Sequence, residues 1–171
     1  MRMSSDDVKT FPHFAQYVKT YMLQVASVGV VVQNIKKFGS LTPSAFRHAL
    51  VWGNDPLIVI TDLSHSQCGG PGVFNGCFDP ADPSKIQVAL TRVQDFETDP
   101  WGAGADVNSR GQKVIIVGVT LLHELCHWGN FKKGVTETTE AGKAFEIATY
   151  GRDIGNTPAH SMVADEVIIT P

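Results

Sequence analysis

The sequence predicts a domain of the α+β class, because helical and extended patterns occupy different parts of the chain. Apolar residues at helical spacing fill most of residues 5–53, and two short apolar runs typical of strands follow within residues 56–91. Two further helical patterns lie after residue 113. Helices and strands that are segregated in this way favour an α+β fold over alternating β-α units.

One domain is expected to span residues 1–171. No repeat, linker or low-complexity tract divides the chain, and a hydrophobic content of 43% in 171 residues is enough to build a core. The chain is therefore either a whole protein of one domain or a domain cut from a longer one.

The N-terminal part is expected to be helical. Residues 5–38 predict a helix that begins near the polar stretch SSDD and restarts after Pro12, with Gly39 as its stop. The apolar positions at helical spacing are Phe14, Tyr17, Val18, Tyr21, Met22, Val25, Val28 and Val32. A further helix is expected within residues 41–53, where Thr42 can cap it and Pro43 takes its first position.

A small mixed sheet is expected in the middle of the chain. PLIVITDL (56–63) predicts a strand, and the alternation in KIQVALT (85–91) predicts an edge strand. Residues 64–84 are dense in Gly and Pro and predict a loop, with a short strand around Val73 and Phe74. Residues 97–111 predict a long polar loop.

Composition excludes two classes of function. The net charge is −3 and the basic residues are scattered, so the chain lacks the electrostatic footprint of a nucleic-acid-binding protein. The longest apolar runs are far shorter than a membrane span, so no membrane insertion is expected. The polar start of the chain shows no signal peptide, and export would therefore need another route.

The stretch VTLLHELCHWGN (119–130) carries the main chemical signal. It holds two histidines four residues apart and a glutamate directly after the first. Random placement of the six His and six Glu residues would give this pattern in only about 0.7% of chains of this length, so chance is a poor explanation. The alternative is a buried helix whose histidines make ordinary core hydrogen bonds, but Glu124 would then be an ionised group without a role.

A helix places His123 and His127 on one face, about 5–6 Å apart, where two imidazole nitrogens can bind one Zn²⁺ ion. Glu124 lies about 100° around the helix from His123, and it can reach the water that the metal activates without being a ligand. We therefore predict a zinc site with Glu124 as the general base.

Catalytic zinc normally has three protein ligands, so a third is expected after His127. The predicted helix EAGKAFEIATYG (140–151) carries Glu146, nineteen residues past His127, and this gap allows an antiparallel return to the metal. Glu146 is the preferred ligand and Glu140 the alternative, because an acidic residue at a helix start is commonly a cap. The residues after His127 that could supply the third zinc ligand are Glu137, Glu140, Glu146, Asp153 and His160.

The pairing of HELCH (123–127) with FEIATYG (145–151) resembles the gluzincin branch of zinc peptidases, in which a glutamate on the next helix completes the site. This resemblance covers residues 119–151 and implies a zincin-like fold and hydrolysis of peptide bonds. In its compact size and in showing no signal peptide, the chain resembles metallopeptidase toxin domains of bacterial polymorphic toxins, including those on type VI secretion spike proteins.

The toxin resemblance implies an antibacterial effector that is delivered into a target cell, with the periplasm as one compartment of action. It also implies a protein or peptide substrate and a cognate immunity protein as partner. Two rival functions stay open: a zinc amidase that cuts cell-wall peptides, and a zinc-stabilised binding module without turnover. Glu124 argues against the binding module, because a structural site does not need that carboxylate.

A donor to the oxyanion of the transition state is expected besides the metal. Tyr150 and His160 are the candidates. The alternatives are that Tyr150 only packs against its neighbours and that His160 is an ordinary surface histidine.

The three cysteines raise a separate question. Cys68 and Cys77 bracket the Gly-rich stretch CGGPGVFNGC, and they form either a disulfide that pins a cleft wall or a pair of reduced thiols. A free Cys68 could also block the open zinc position as a thiolate. Cys126 lies between the two histidines in sequence and faces away from them, which predicts a buried thiol.

Overall fold

The computed structural model describes residues 1–63 and 74–155, and within these ranges the predicted mixed α+β class is confirmed. Most helices lie before or after the strands of a small sheet, as expected from the segregated sequence patterns, although residues 2–3 at the start of the chain also join that sheet. No helix in the described ranges is long and apolar enough to cross a bilayer.

The N-terminal part of the chain is helical, and only some of its breaks lie where the sequence predicts them. The elements are β1 (Arg2–Met3), α1 (Ser5–Thr10), α2 (Pro12–Thr20), a 3-10 helix (Met22–Ser27), α3 (Gly29–Gly39) and α4 (Pro43–Leu50). The predicted restart at Pro12 is confirmed, and the segment breaks twice more than expected, around the 3-10 helix. Thr42 caps α4 by accepting a hydrogen bond from the backbone N–H of Ala45 at 3.2 Å, as predicted.

The main sheet has four strands in the order β1, β2 (Leu57–Thr61), β4 (Lys85–Ala89) and β3 (Gly76–Cys77). The first three are parallel, and β3 pairs with β4 in the antiparallel sense. The prediction of β4 as an edge strand was wrong, because β2 and β3 flank it on either side. Its alternation arises because Ile86 and Val88 bury one face of the strand, which is independent of its place in the sheet.

Two elements of the structure were not predicted from the sequence. The strand expected up to residue 91 ends at Ala89, and helix α5 (Leu90–Thr98) follows directly because Val93 and Phe96 are buried on one face. The predicted loop 97–111 contains β5 (Ala105–Val107), which pairs with β6 (Lys113–Ile115) in a small antiparallel sheet.

Helix α6 (Ile116–Lys132) lies at the centre of the molecule, and thirteen of its seventeen residues are buried. It packs against the main sheet on one side and against α3 and α7 (Ala141–Tyr150) on the other. The predicted end near Gly129 is three residues early. A Cβ at Gly129 would lie 2.1 Å from the carbonyl oxygen of Gly39, so this glycine allows α3 to approach α6 closely and does not end the helix.

Candidate metal centre and active-site cleft

Helix α6 places His123 and His127 one turn apart, with their ring centroids separated by 5.2 Å. Oε1 of Glu140 lies 3.1 Å from Nε2 of His123 and 2.6 Å from Nε2 of His127. One ligand atom from each of these three residues falls within 4.8 Å of the others, and the described part of the chain offers no other such group. The predicted pairing of the two histidines is therefore present, with a carboxylate between them.

This donor set fits a divalent transition metal. Two imidazole nitrogens and one carboxylate oxygen are the protein ligands of many catalytic zinc sites, which keep a further position for water or substrate. The His side chains are about one-fifth exposed, so the group opens to solvent on the side of the cleft.

The geometry favours Glu140 over Glu146 as the third ligand, which reverses the ranking made from the sequence. Glu140 does cap α7, because its Oε2 accepts a hydrogen bond from the backbone N–H of Lys143. Its other oxygen faces the two histidines. A carboxylate has two oxygens, so Glu140 can cap α7 with one and face the candidate metal site with the other.

Glu146 lies on the other nitrogen of His123. Its Oε1 is 2.6 Å from Nδ1 of His123, and its Oε2 accepts a hydrogen bond from the backbone N–H of Ile154 at 2.6 Å. Only 4% of Glu146 is exposed. Glu146 therefore orients the ring of His123 through Nδ1, whereas Glu140 faces Nε2. Glu146 does not belong to the three-residue donor group.

His127 has a matching support that sequence reasoning missed. Oε2 of Glu137 lies 2.8 Å from Nδ1 of His127, and its Oε1 accepts a hydrogen bond from Nδ2 of Asn130 at 2.9 Å. Asn130 is itself held by the hydroxyl of Ser40 and the carbonyl of Phe38, both at 2.7 Å. A carboxylate on the second nitrogen of each histidine is typical of metal sites, where it sets the tautomer and the ring orientation.

These carboxylates also raise the pKa of both histidines. Burial alone would lower the pKa of His123, but hydrogen bonds to Glu140 and Glu146 outweigh it and raise the pKa well above its ordinary value. Burial and the hydrogen bond to Glu140 oppose each other in the same way at His127, and its pKa is also raised. The pKa of Glu140 is lowered, because the two histidines overcome the opposing effect of burial.

Glu124 has the position expected of a general base. Only 4% of the residue is exposed, and its Oε1 lies 3.9 Å from Nε2 of His123. Burial raises its pKa, although the nearby histidines act in the opposite direction. A carboxylate with a raised pKa holds a transferred proton better than an ordinary glutamate does.

Two glycines give the site its close contacts. A Cβ at Gly142 would lie 2.1–2.3 Å from ring atoms of His123, so only glycine allows α7 to pack against this ring. A Cβ at Gly76 would lie 2.6 Å from Cγ2 of Thr120 and 2.8 Å from Oε1 of Glu124. Strand β3 therefore passes directly beside Glu124.

A cleft of about 590 Å³ lies over this group. Residues of β3 and the segment after it form one wall, and the end of α6 and the start of α7 form the other. Lys143 and Asp153 line one part of it and form an ion pair at 3.1 Å.

The two predicted oxyanion donors have different outcomes. Tyr150 is buried in the core and packs edge-to-face on Phe145, with ring centroids 6.1 Å apart, so it takes the packing role that the sequence left open. Burial raises the pKa of its hydroxyl. His160 lies outside the described residues.

Of the cysteines, Cys77 lies in the cleft wall and is disulfide-bonded, while Cys126 is a free and buried thiol as predicted. Burial raises the pKa of Cys126 well above its ordinary value. The predicted partner of Cys77, Cys68, lies outside the described residues.

The family comparison agrees with this geometry. The metallopeptidase toxin 3 family matches residues 7–151, which include both histidines, Glu124 and Glu140. The chain belongs to this family. Membership confirms the prediction of a metallopeptidase toxin domain, hence of a hydrolase that acts on peptide bonds with the help of a metal. No curated protein and no solved structure matches this metallopeptidase toxin.

Proposed function

We propose that this metallopeptidase toxin is a zinc-dependent, zincin-like peptidase whose metal ligands are His123, His127 and Glu140. The observation that carries the proposal is the convergence of two imidazole nitrogens and one carboxylate oxygen within 4.8 Å, beside the buried carboxylate of Glu124. Nitrogen and carboxylate ligands of this kind suit Zn²⁺, and the motif His-Glu-x-x-His on one helix supports the same ion.

When bound there, Zn²⁺ supplies Lewis-acid chemistry, which polarises the scissile carbonyl and makes water more acidic. Glu124 takes the proton from the attacking water and later delivers it to the leaving amine. Glu124 is a buried residue of α6, and Gly76 of β3 lies close to its carboxylate. This burial keeps the carboxylate in place and away from bulk water. Glu146 and Glu137 hold the histidine rings through their Nδ1 atoms.

The oxyanion of the transition state needs a further donor. Tyr150 is enclosed in the core, so His160 is the remaining proposed donor from the sequence. The second candidate function, a zinc amidase that cuts cell-wall peptides, would use the same ligands and the same base. The buried base argues against a binding module without turnover, because a structural metal site has no use for it.

The family name supports a toxin, and we propose an antibacterial effector that is delivered into a target cell. The periplasm is the proposed compartment of action, and a cognate immunity protein is the proposed partner. Both follow from the resemblance to polymorphic toxins and are separate from the chemistry of the site.

The chemistry is tested by zinc content and casein cleavage, with and without a chelator. Glu124→Gln is the matched variant, because it keeps the shape of the side chain and removes the base. We expect about one zinc per chain in both proteins and cleavage by the wild type alone. Zinc without cleavage of any protein or peptide in the wild type would support the binding module instead. Expression of both proteins in bacterial cytoplasm and periplasm then identifies the compartment in which the activity is toxic.

A further inference from the structure

One end of the cleft is apolar, although the residues there are accessible. Phe131 is 42% exposed and Val135 is 46% exposed, and both line the cleft that contains Glu124. Phe78, which follows strand β3, contacts Phe131 from the other side of the cleft, with ring centroids 5.7 Å apart, so the two rings form one continuous apolar surface. Pro80 continues the same wall. Phe78, Pro80, Phe131 and Val135 are called the apolar wall below.

The periodicity of α6 places the apolar wall beside the candidate metal ligands His123 and His127. Phe131 follows His127 by four residues, and His127 follows His123 by four, so the three side chains lie in one row on the helix. The row runs from the candidate metal ligands directly to the apolar wall. A peptide held over the histidines would therefore bring a neighbouring side chain against Phe131.

Charged side chains fit this end of the cleft less well. Glu137 is already committed to His127 and Asn130, and the cation Lys143 is paired with Asp153. Among the described residues that line the cleft, Lys143 is the only Lys or Arg. An apolar group that covers the exposed parts of Phe131 and Val135 releases water from them, which favours such a group energetically.

We propose that the apolar wall is a specificity subsite, which binds a large aliphatic or aromatic side chain of the substrate next to the scissile bond. The inference rests on the proposed peptidase function and adds the class of residue that the enzyme selects. A well-formed apolar subsite discriminates by about 10–200-fold for each methylene-sized difference, so a large side chain is expected to be preferred over Ala by at least about tenfold in kcat/KM.

The test is digestion of a defined peptide mixture by the zinc-loaded enzyme, followed by mass spectrometry of the cleaved ends. A matched pair of peptides, with Leu or Ala at the selected position, then gives the ratio of kcat/KM values. We expect large apolar residues at one fixed position beside the cut. Phe131→Ala and Val135→Ser should reduce the Leu/Ala ratio about tenfold, mainly by lowering kcat/KM for the Leu peptide, whereas Phe131→Leu should retain most of it.

Val30→Ser is the matched control for Val135→Ser, because Val30 is 48% exposed on α3 and does not line the cleft. It should leave the ratio unchanged. Zinc content and melting temperature establish that each variant is folded. Cleavage without an apolar preference, or a preference that survives both Phe131→Ala and Val135→Ser, would overturn the subsite and leave the peptidase proposal intact. No cleavage of any peptide by the wild type would overturn both.

Discussion

Oε1 of Glu146 lies 2.6 Å from Nδ1 of His123, while Nε2 of the same ring faces Glu140 at 3.1 Å. Carboxylate oxygens accept hydrogen bonds, so we assign Nδ1 as the donor in the contact with Glu146. The Nε2 atom is then the nitrogen left for a metal. The two glutamates of α7 therefore have different roles at one imidazole, and this difference can be tested.

Glu140→Ala should weaken zinc binding more than Glu146→Ala, because only Glu140 contributes an atom to the donor group. Loss of a supporting carboxylate typically costs about 10–100-fold in metal affinity, and we expect this range for Glu146→Ala. Competition with a chromophoric chelator measures both variants. The opposite ranking would return the ligand role to Glu146, as the sequence first suggested.

His123→Ala and His127→Ala should reduce bound zinc to background, whereas Glu124→Gln should keep the metal and abolish turnover. The reason is that the two histidines are the proposed ligands, whereas the proposed role of Glu124 is only to accept a proton. Elemental analysis and peptide cleavage are measured on the same samples. Equal loss of zinc in all three variants would show that Glu124 has been given the wrong role.

Gly142→Ala should impair zinc binding, because its Cβ would lie 2.1–2.3 Å from the ring of His123 and must displace that ring or α7. Gly29→Ala is the matched control, since a Cβ at this position of α3 meets nothing within 4 Å. The control should keep its zinc and its melting temperature. Normal zinc affinity in Gly142→Ala would indicate that the contact between α7 and His123 is not required.

Zinc affinity should fall with decreasing pH, and the fall should begin at a higher pH than for an unperturbed histidine. Neighbouring carboxylates raise the pKa of His123 and His127 above 6.5 in the metal-free protein, although burial opposes them. A protonated Nε2 cannot bind metal, so protons compete with zinc below these raised pKa values and binding strengthens as the pH rises through them. Titrations between about pH 5 and pH 9, with proton release followed in two buffers, measure this linkage.

Glu137→Gln provides the control for the pH experiment, because it removes one of the charges that raise the pKa of His127. The pH dependence of zinc binding should then shift to lower pH. An unchanged profile would contradict the electrostatic explanation.

Cys126 should not react with a thiol reagent in the native protein, since it is buried and burial raises its pKa well above 9.0. Unfolding without reductant should expose one reactive thiol per chain if Cys68 is the partner of Cys77. Unfolding after reduction should expose three. Three reactive thiols without reductant would contradict the disulfide at Cys77.

Local sequence signals were sufficient for much of the fold. The cap at Thr42, the restart at Pro12 and the helix carrying His123 and His127 depend on neighbouring residues, and the structure agrees with each. The helix that ends at Tyr150 is likewise followed by Gly151 in the left-handed conformation. Such features could be predicted because their causes lie within a few residues.

The choice between Glu140 and Glu146 depended on longer-range geometry. The turn between α6 and α7 decides which residue meets Nε2 and which meets Nδ1 of His123, and no periodicity in the sequence encodes that turn. The interior position of β4 was missed for a similar reason, because its neighbour β3 has only two residues. The role of Gly142 becomes visible only when α7 is packed on α6.

Helix α6 is enclosed on almost all sides, whereas the segment 131–140 that leads to Glu140 is exposed throughout. Amide hydrogens in the enclosed centre of a domain exchange with solvent only when the domain opens globally, while those of exposed segments exchange through local opening. Exchange is therefore expected to be slow around His123 and His127 and fast around Glu140, the proposed third ligand. Metal binding should therefore slow exchange in residues 133–140 far more than in α6.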